Sequence, residues 1–320
     1  MKKILSILVM ILAAAVNVTF ANDLTFARTI VVAQDGSGDY STIGEALKKL
    51  KGDSEESVRI FIKNGVYKEK ILMNYTLNNV TIEGESRSGV VITNGDYAQL
   101  NNMGTSGSYT VRIDGNNITL KNLTVENSAG QVGQAVALHT TGDKIHIIEC
   151  DILGNQDTLY ASGRNSRALL DNCYIEGTVD FIFGAATALF RNCHIHAKSD
   201  SYLTAASTAK DNPVGYVFHK CKVTADPNVK NVHLGRTWRP YASTFFIECE
   251  LPDAVNPKGW HNWGNPDNEL TARYGEFKCY GPGADESQRV GWRRNLSDKD
   301  AAVLIDPSKI FNHASLWVVE

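Results

Sequence analysis

Six cysteines punctuate the chain at nearly regular intervals, and this spacing limits the possible folds more than any other feature. Cys150, Cys173, Cys193, Cys221, Cys249 and Cys279 are separated by 23, 20, 28, 28 and 30 residues. Their flanks repeat too: I-I-E precedes Cys150, L-D-N Cys173, F-R-N Cys193, F-H-K Cys221 and F-I-E Cys249. Leu123 occupies the same slot 27 residues before Cys150, inside L-K-N-L-T-V at 120–125. A repeat of about 20–30 residues is the mark of a solenoid. β-Branched and aromatic residues alternate with polar ones, and Asn or Gly punctuates the ends, so the units are strands. Stacked strand coils make a parallel β-helix, in which each coil buries its apolar face only against its neighbours. The alternation turns the Cys slot inward, where a thiol packs as a small hydrophobe.

The remaining chain fits this all-β plan. Residues 29–33, 58–63, 80–83 and 90–93 read as strands of early coils. Thr42 and Glu45 have capping-box spacing, and 46–50 continue as a helix that would cover the open N-terminal end of the stack. Beyond about Pro252 the period weakens towards a less regular C-terminal cap. G-P-G at 281–283 is a turn, and a helix over 298–305 is expected to cover the other end. With no linker in sight, residues 22–320 read as a single domain.

Residues 1–21 read as a secretory signal peptide: Lys2 and Lys3, an apolar run over 4–18, and a small residue at Ala21. The run is short for a membrane span, which needs about 20 apolar residues. The expected mature chain is exported, to the periplasm or outside the cell, without a membrane anchor. It holds 299 residues, 30 basic and 35 acidic, for a net charge of −5. A mildly acidic chain without a basic block is not a nucleic-acid binder. No C-x-x-C pair occurs, which excludes a zinc ribbon or thioredoxin-like site.

Coils stack about 4.8 Å apart, so residues one period apart become neighbours. Gln134, Asp157 and Asp180 are separated by 23 and 23 residues, and Arg236 follows 56 later, two periods of 28. These positions would line one strip of one face. Each Asp interrupts a stretch that is otherwise largely apolar or small, G-N-Q-D-T-L-Y at 154–160 and V-D-F-I-F-G at 179–184. A carboxylate among such residues is costly to bury unless paired, and Arg236 is the natural partner. One Asp beside a Gly is most simply a turn residue or half of a structural ion pair. Two Asp, two Gln (Gln134 and Gln156) and an Arg at matching periods point to a reactive site.

The strings around these residues resemble the pectin methylesterases (pectinesterases), carbohydrate esterases with a right-handed parallel β-helix. G-V-Y-K-E at 65–69 is similar to the family's G-x-Y-x-E, and Q-A-V-A-L at 134–138 matches its counterpart. G-N-Q-D-T-L-Y at 154–160 and G-T-V-D-F-I-F-G at 177–184 match as well. L-G-R-T-W at 234–238 differs from L-G-R-P-W by Thr237, which forfeits the rigidity of the proline. The resemblance spans roughly residues 29–292. It implies hydrolysis of the C6 methyl ester of galacturonate units in pectin, releasing methanol and pectate. It makes Asp180 the nucleophile, Asp157 the general acid and then base, and Arg236 the group that orients ionised Asp180. Gln134 and Gln156 would donate to the oxyanion. It implies substrate contacts at Thr110, Gln134, Tyr160, Phe183, Arg236 and Trp238, the last two residues beyond Arg236 on the same side of its strand. Trp263 and Trp292 are further candidates for the cleft wall. Neither metal nor cofactor is implied; the partner is methyl-esterified pectin or oligogalacturonides, met by a monomer. Some members carry a disulfide at the spacing of Cys173 and Cys193. One coil of separation suits a bridge, and an oxidising compartment favours it, so that bridge is expected. Two rival readings are a pectate lyase, which needs clustered acids for calcium and a base for the C5 proton, and a polysaccharide-binding β-helix without activity. No G-x-S-x-G or H-E-x-x-H string supports a serine or zinc route.

Overall fold

A computed structural model describes residues 26–311; the signal peptide expected at 1–21 lies outside the described residues. Three parallel sheets of eleven, seven and eight strands, here sheets I, II and III, run the length of the molecule. One coil shows the construction: Ile145–Ile148 lies in sheet I, Asp151–Leu153 in sheet II and Leu159–Ala161 in sheet III. The next coil repeats it with Arg167–Asp171, Tyr174–Gly177 and Ile182–Gly184, each paired in parallel with its predecessor. The fold is a parallel β-helix, as the period required. The strands expected at 29–33, 58–63, 80–83 and 90–93 are Arg28–Val32, Val58–Ile62, Val80–Gly84 and Val90–Asn94.

The polar residue before each Cys is a one-residue corner between sheets I and II. Asn122, Glu149, Asn172, Asn192, Lys220, Glu248 and Lys278 all adopt the left-handed conformation, with φ between 50° and 54°. That conformation costs a non-glycine residue about 1–2 kcal/mol, least for Asn. The corner turns the following residue inward. Pairing of 151 with 174, 174 with 194, 194 with 222, 222 with 250 and 250 with 280 therefore stacks all six cysteines in one interior ladder. Leu123 heads it through the pairing of 124 with 151.

The expected Cys173–Cys193 bridge is absent, and all six cysteines are free thiols. The thiols meet their ladder neighbours as hydrogen-bonding groups rather than as a bonded pair, and they also face backbone carbonyls. Cys173 Sγ faces Ile147 O at 3.4 Å and Cys193 Sγ faces Leu170 O at 3.4 Å, carbonyls of the preceding coil. Burial pushes the thiol pKa of Cys150, Cys173 and Cys193 upward, which keeps them protonated and inert. Beside the ladder, Phe190, Phe218 and Phe246 stack with centroids 4.3 and 4.4 Å apart.

The N-terminal helix is Ile43–Lys48, ending two residues short of the expected span. Thr42 accepts from Glu45 N at 3.2 Å. The second acceptor comes from afar: the Glu69 carboxylate takes Ile43 N at 3.0 Å and Gly44 N at 2.9 Å, giving G-V-Y-K-E a structural task. Ile43, Ala46 and Leu47 enter the core at the first coil.

The C-terminal helix, Asp298–Leu304, forms under a Ser297–Asp300 capping box, but it does not cover the end of the stack. Together with Ile310 and Phe311, its Ala301 and Leu304 pack on Leu169, Leu189, Val217, Phe245 and Ile247. These are outward positions of sheet I; left in water they would form a large apolar patch, so the helix lies along the flank. At the end itself, Trp292 packs near Tyr274, and Arg289 pairs with Glu276 at 2.9 Å with both side chains at most 1% exposed. Among the described residues no helix is long and apolar enough to cross a membrane.

Candidate active site

The outward face of sheet III carries a row in strict register: Arg112, His139, Tyr160, Phe183, Ala205, Arg236 and His261. Stacking follows directly from the register. His139 and Tyr160 lie 4.4 Å apart at 14°, and Tyr160 and Phe183 4.1 Å apart at 7°. Trp238 leans over Tyr160 and Phe183 at 6.5 and 5.9 Å, and Tyr109 and Val136 complete the apolar cluster. The family resemblance implied Tyr160, Phe183 and Trp238 as substrate contacts, and the fold gathers all three.

Asp157 and Asp180 sit beside each other on adjacent coils. The 23-residue offset that pairs Leu159 with Ile182 is carried back by the Asp157 N to Val179 O bond, 3.1 Å. Both residues are left-handed, with φ of 66° and 50°. This bend lets two successive residues turn inward, Thr158 and Leu159 after one Asp, Phe181 and Ile182 after the other. Asp157 and Tyr160 thus share the outer face, as do Asp180 and Phe183, although three residues separate each pair. Plain strand alternation would have put them on opposite faces.

The expected strip needs correction at two members. Gln134 pairs with Gln156, not with Asp157, because the local offset is 22 residues. Both glutamines are half-buried, and neither side-chain amide has a hydrogen-bond partner among the described residues. Arg236 belongs to the row of Phe183 and Ala205 rather than to the aspartates' level. It reaches back past the small Ala205 and grips Asp180 at both oxygens, Nε to Oδ1 at 2.9 Å and Nη2 to Oδ2 at 2.5 Å. Such a bidentate pair fixes orientation as well as charge.

The two carboxyls differ in surroundings. Both are buried, at 5% and 6% exposure. Among the described residues Asp157 has no side-chain hydrogen-bond partner, and desolvation, then the neighbouring Asp180, pushes its pKa up to about 8 against the pull of Arg236. Burial raises Asp180 as well, but its hydrogen bonds and attraction to Arg236 oppose that rise. One buried carboxyl is thus built to hold a proton and the other to be held as an anion.

Thr110 does not reach the cleft. It is fully buried, and its hydroxyl donates to Glu126 O at 2.8 Å because the local coil offers that carbonyl inside the wall. Trp292 belongs to the end of the stack, while Trp263, 38% exposed, stands at the cleft. Spacing could have found Tyr202, which lies one coil beyond Asp180 and whose carbonyl oxygen accepts the Asp180 N–H at 2.9 Å. His233, paired with Tyr202, and His261 gave no signal, since their coil intervals are irregular.

Fold and site together define a class: parallel β-helix proteins with an aspartate pair and an arginine in an aromatic-lined cleft on a sheet's outer face. The pectinesterase family profile matches residues 29–309. Pectinesterase 31 of Arabidopsis thaliana is 36% identical over 292 residues, covering 88% of this chain and 92% of that protein. Pectin methylesterase from carrot superposes with a TM-score of 0.86 at 32% identity, covering 93% of this chain and 96% of its own. A pectin methylesterase in complex with a hexasaccharide matches with a TM-score of 0.78 at 29% identity, covering 93% and 99%. The chain belongs to the pectinesterase family.

Proposed function

We propose that this protein hydrolyses the C6 methyl ester of galacturonate units in pectin, with Asp180 as nucleophile and Asp157 as general acid and base. The observation that carries the reading is the contrast within the pair: Asp180 gripped at both oxygens by Arg236, Asp157 buried beside it without a hydrogen-bond partner among the described residues. An Asp180 oxygen attacks the C6 carbonyl carbon. The carbonyl oxygen gains negative charge within reach of amide donors of the kind Gln134 and Gln156 present. The C6–OCH3 bond then breaks, and methanol leaves with the proton of Asp157. Water, deprotonated by Asp157, attacks the resulting acyl–aspartyl anhydride; Asp180 departs as a carboxylate and the unit is left as a free uronic acid. Tyr160, Phe183 and Trp238 supply rings on which sugars pack.

Residues 22–320 are proposed to form one domain, acting as a monomer after export into the periplasm or beyond. The test is methanol release from highly methylated pectin, expected without any unsaturated product, which separates hydrolysis from lyase cleavage. Asp180→Ala is expected to abolish release while pectin binding persists, which separates an enzyme from a binding protein. Unchanged turnover in that variant would refute the assignment.

A further inference from the structure

Arg236 is held by more than its carboxylate partner. The guanidinium carbon lies 4.1 Å from the centroid of the Tyr202 ring and 3.6 Å from that of Trp263. Tyr202 comes from Ser201–Ala206, the strand between Ile182–Gly184, which follows Asp180, and the strand of Arg236, Val232–Thr237. Trp263 comes from a loop after Trp260–His261, the last strand of sheet III. A guanidinium between two π faces gains cation–π attraction on each side, and its plane is fixed.

The loop that brings Trp263 is itself fastened. Trp263 is left-handed, with φ of 60°, and its N–H donates to His261 Nδ1 at 3.0 Å. Asn262 Nδ2 donates to Glu269 Oε1 at 2.7 Å. Buried Asn268 donates from Nδ2 to Thr237 Oγ1 at 2.9 Å, and Thr237 is fully buried next to Arg236 in sequence. Thr237 is the position at which L-G-R-T-W lacks the proline of the resembling strings. Its hydroxyl adds what a proline there could not: a second, shorter tie to Asn268 beside the one from Thr237 O at 3.3 Å, joining the strand of Arg236 to the loop of Trp263.

We propose that Tyr202 and Trp263 are positioning residues that clamp Arg236 in the plane from which it grips Asp180, and that the Thr237–Asn268 bond locks the clamp. The proposal rests on the assignment of Asp180 as nucleophile. It gives Trp263 a task besides any contact with sugar. Loosening the clamp frees Arg236 to turn, weakens its hold on Asp180 and lets burial lift the Asp180 pKa further.

The test compares Tyr202→Leu and Trp263→Leu with their ring-keeping counterparts Tyr202→Phe and Trp263→Phe, and adds Thr237→Val. Each folded variant is assayed for methanol release from highly methylated pectin across pH. The two Leu variants should lose about tenfold in kcat with KM within about twofold, the scale of one lost cation–π contact. The acid limb of kcat/KM should move to higher pH. The Phe variants should stay close to the wild type, and Thr237→Val should fall between. A rise in KM with kcat and the acid limb unchanged would mean that the rings serve the sugar, and overturns the clamp. Equal losses in Phe and Leu variants overturn it as well. Titration of the Asp180 carboxyl by carbon NMR needs no turnover. A higher Asp180 pKa in both Leu variants supports the clamp even in a chain inactive on pectin, and an unmoved pKa overturns it. Wild-type turnover separately tests the esterase reading.

Discussion

Asp157 and Asp180 show how surroundings divide one side chain into two chemistries. In the proposed mechanism Asp157 is protonated when methanol leaves, so activity should fall as pH rises through about 8, seen as the basic limb of kcat/KM. The same burial has a cost in stability. Between the ordinary carboxylate range and about pH 8 the folded chain retains a proton that the unfolded chain has released, so folding weakens as pH climbs through that window. Asp157→Asn removes the titration. Its melting temperature should match the wild type near pH 4, exceed it increasingly towards pH 8 and level off above, while activity is lost. A gain independent of pH would contradict the raised pKa. At this scale the sequence was partly legible. Period alone placed both aspartates and an arginine on one side. The grip of Arg236, its ring clamp and the withdrawal of Thr110 into the wall depend on side-chain direction, which spacing does not carry.

Among elements, the left-handed residues matter most. The corners at Asn122, Glu149, Asn172 and their counterparts set the angle between sheets I and II, and the bends at Asp157 and Asp180 redirect strands of sheet III. Gly184 ends the strand Ile182–Gly184 with φ of 125°, and a Cβ there would stand 2.0 Å from Ala161 O. Gly184→Ala should therefore destabilise the fold by about 3 kcal/mol, read as a lower urea midpoint, through backbone strain and collision with the neighbouring coil. An Ala variant of wild-type stability would deny that strain. Strand positions were legible within about a residue because alternation and β-branching locate them directly. The resting place of the C-terminal helix was not. Its own apolar stripe says that it packs, but the surface it covers is recorded in Leu169, Leu189, Val217 and Phe245, far away in the chain.

For the molecule as a whole, the flank matters as much as the ends. Removing the chain from Ser297 onward strips Ala301, Leu304, Ile310 and Phe311 from the face of sheet I. The shortened protein should bind a hydrophobic dye and self-associate on size exclusion more than the full chain does. A monodisperse, dye-silent truncation would show that the flank tolerates water. The solenoid plan was legible because a period in sequence becomes a period in space with no further information needed.

The interior thiol ladder matters in a different way while the chain is still finding its shape. Coils join residues 20–30 apart in sequence, and the stack closes only as successive coils arrive, so long stretches wait exposed during folding. In that interval six thiols, five of them buried in the finished fold and Cys279 partly so, are free to pair wrongly with one another or with other chains. Mispaired chains would be locked out of the register that the finished ladder demands. Refolding yield should consequently be higher with a reductant present than under air, while the folded protein stays indifferent to the same oxidant. Burial of five of its six thiols shields the native state from oxidants, while the route to that state leaves all six open to them.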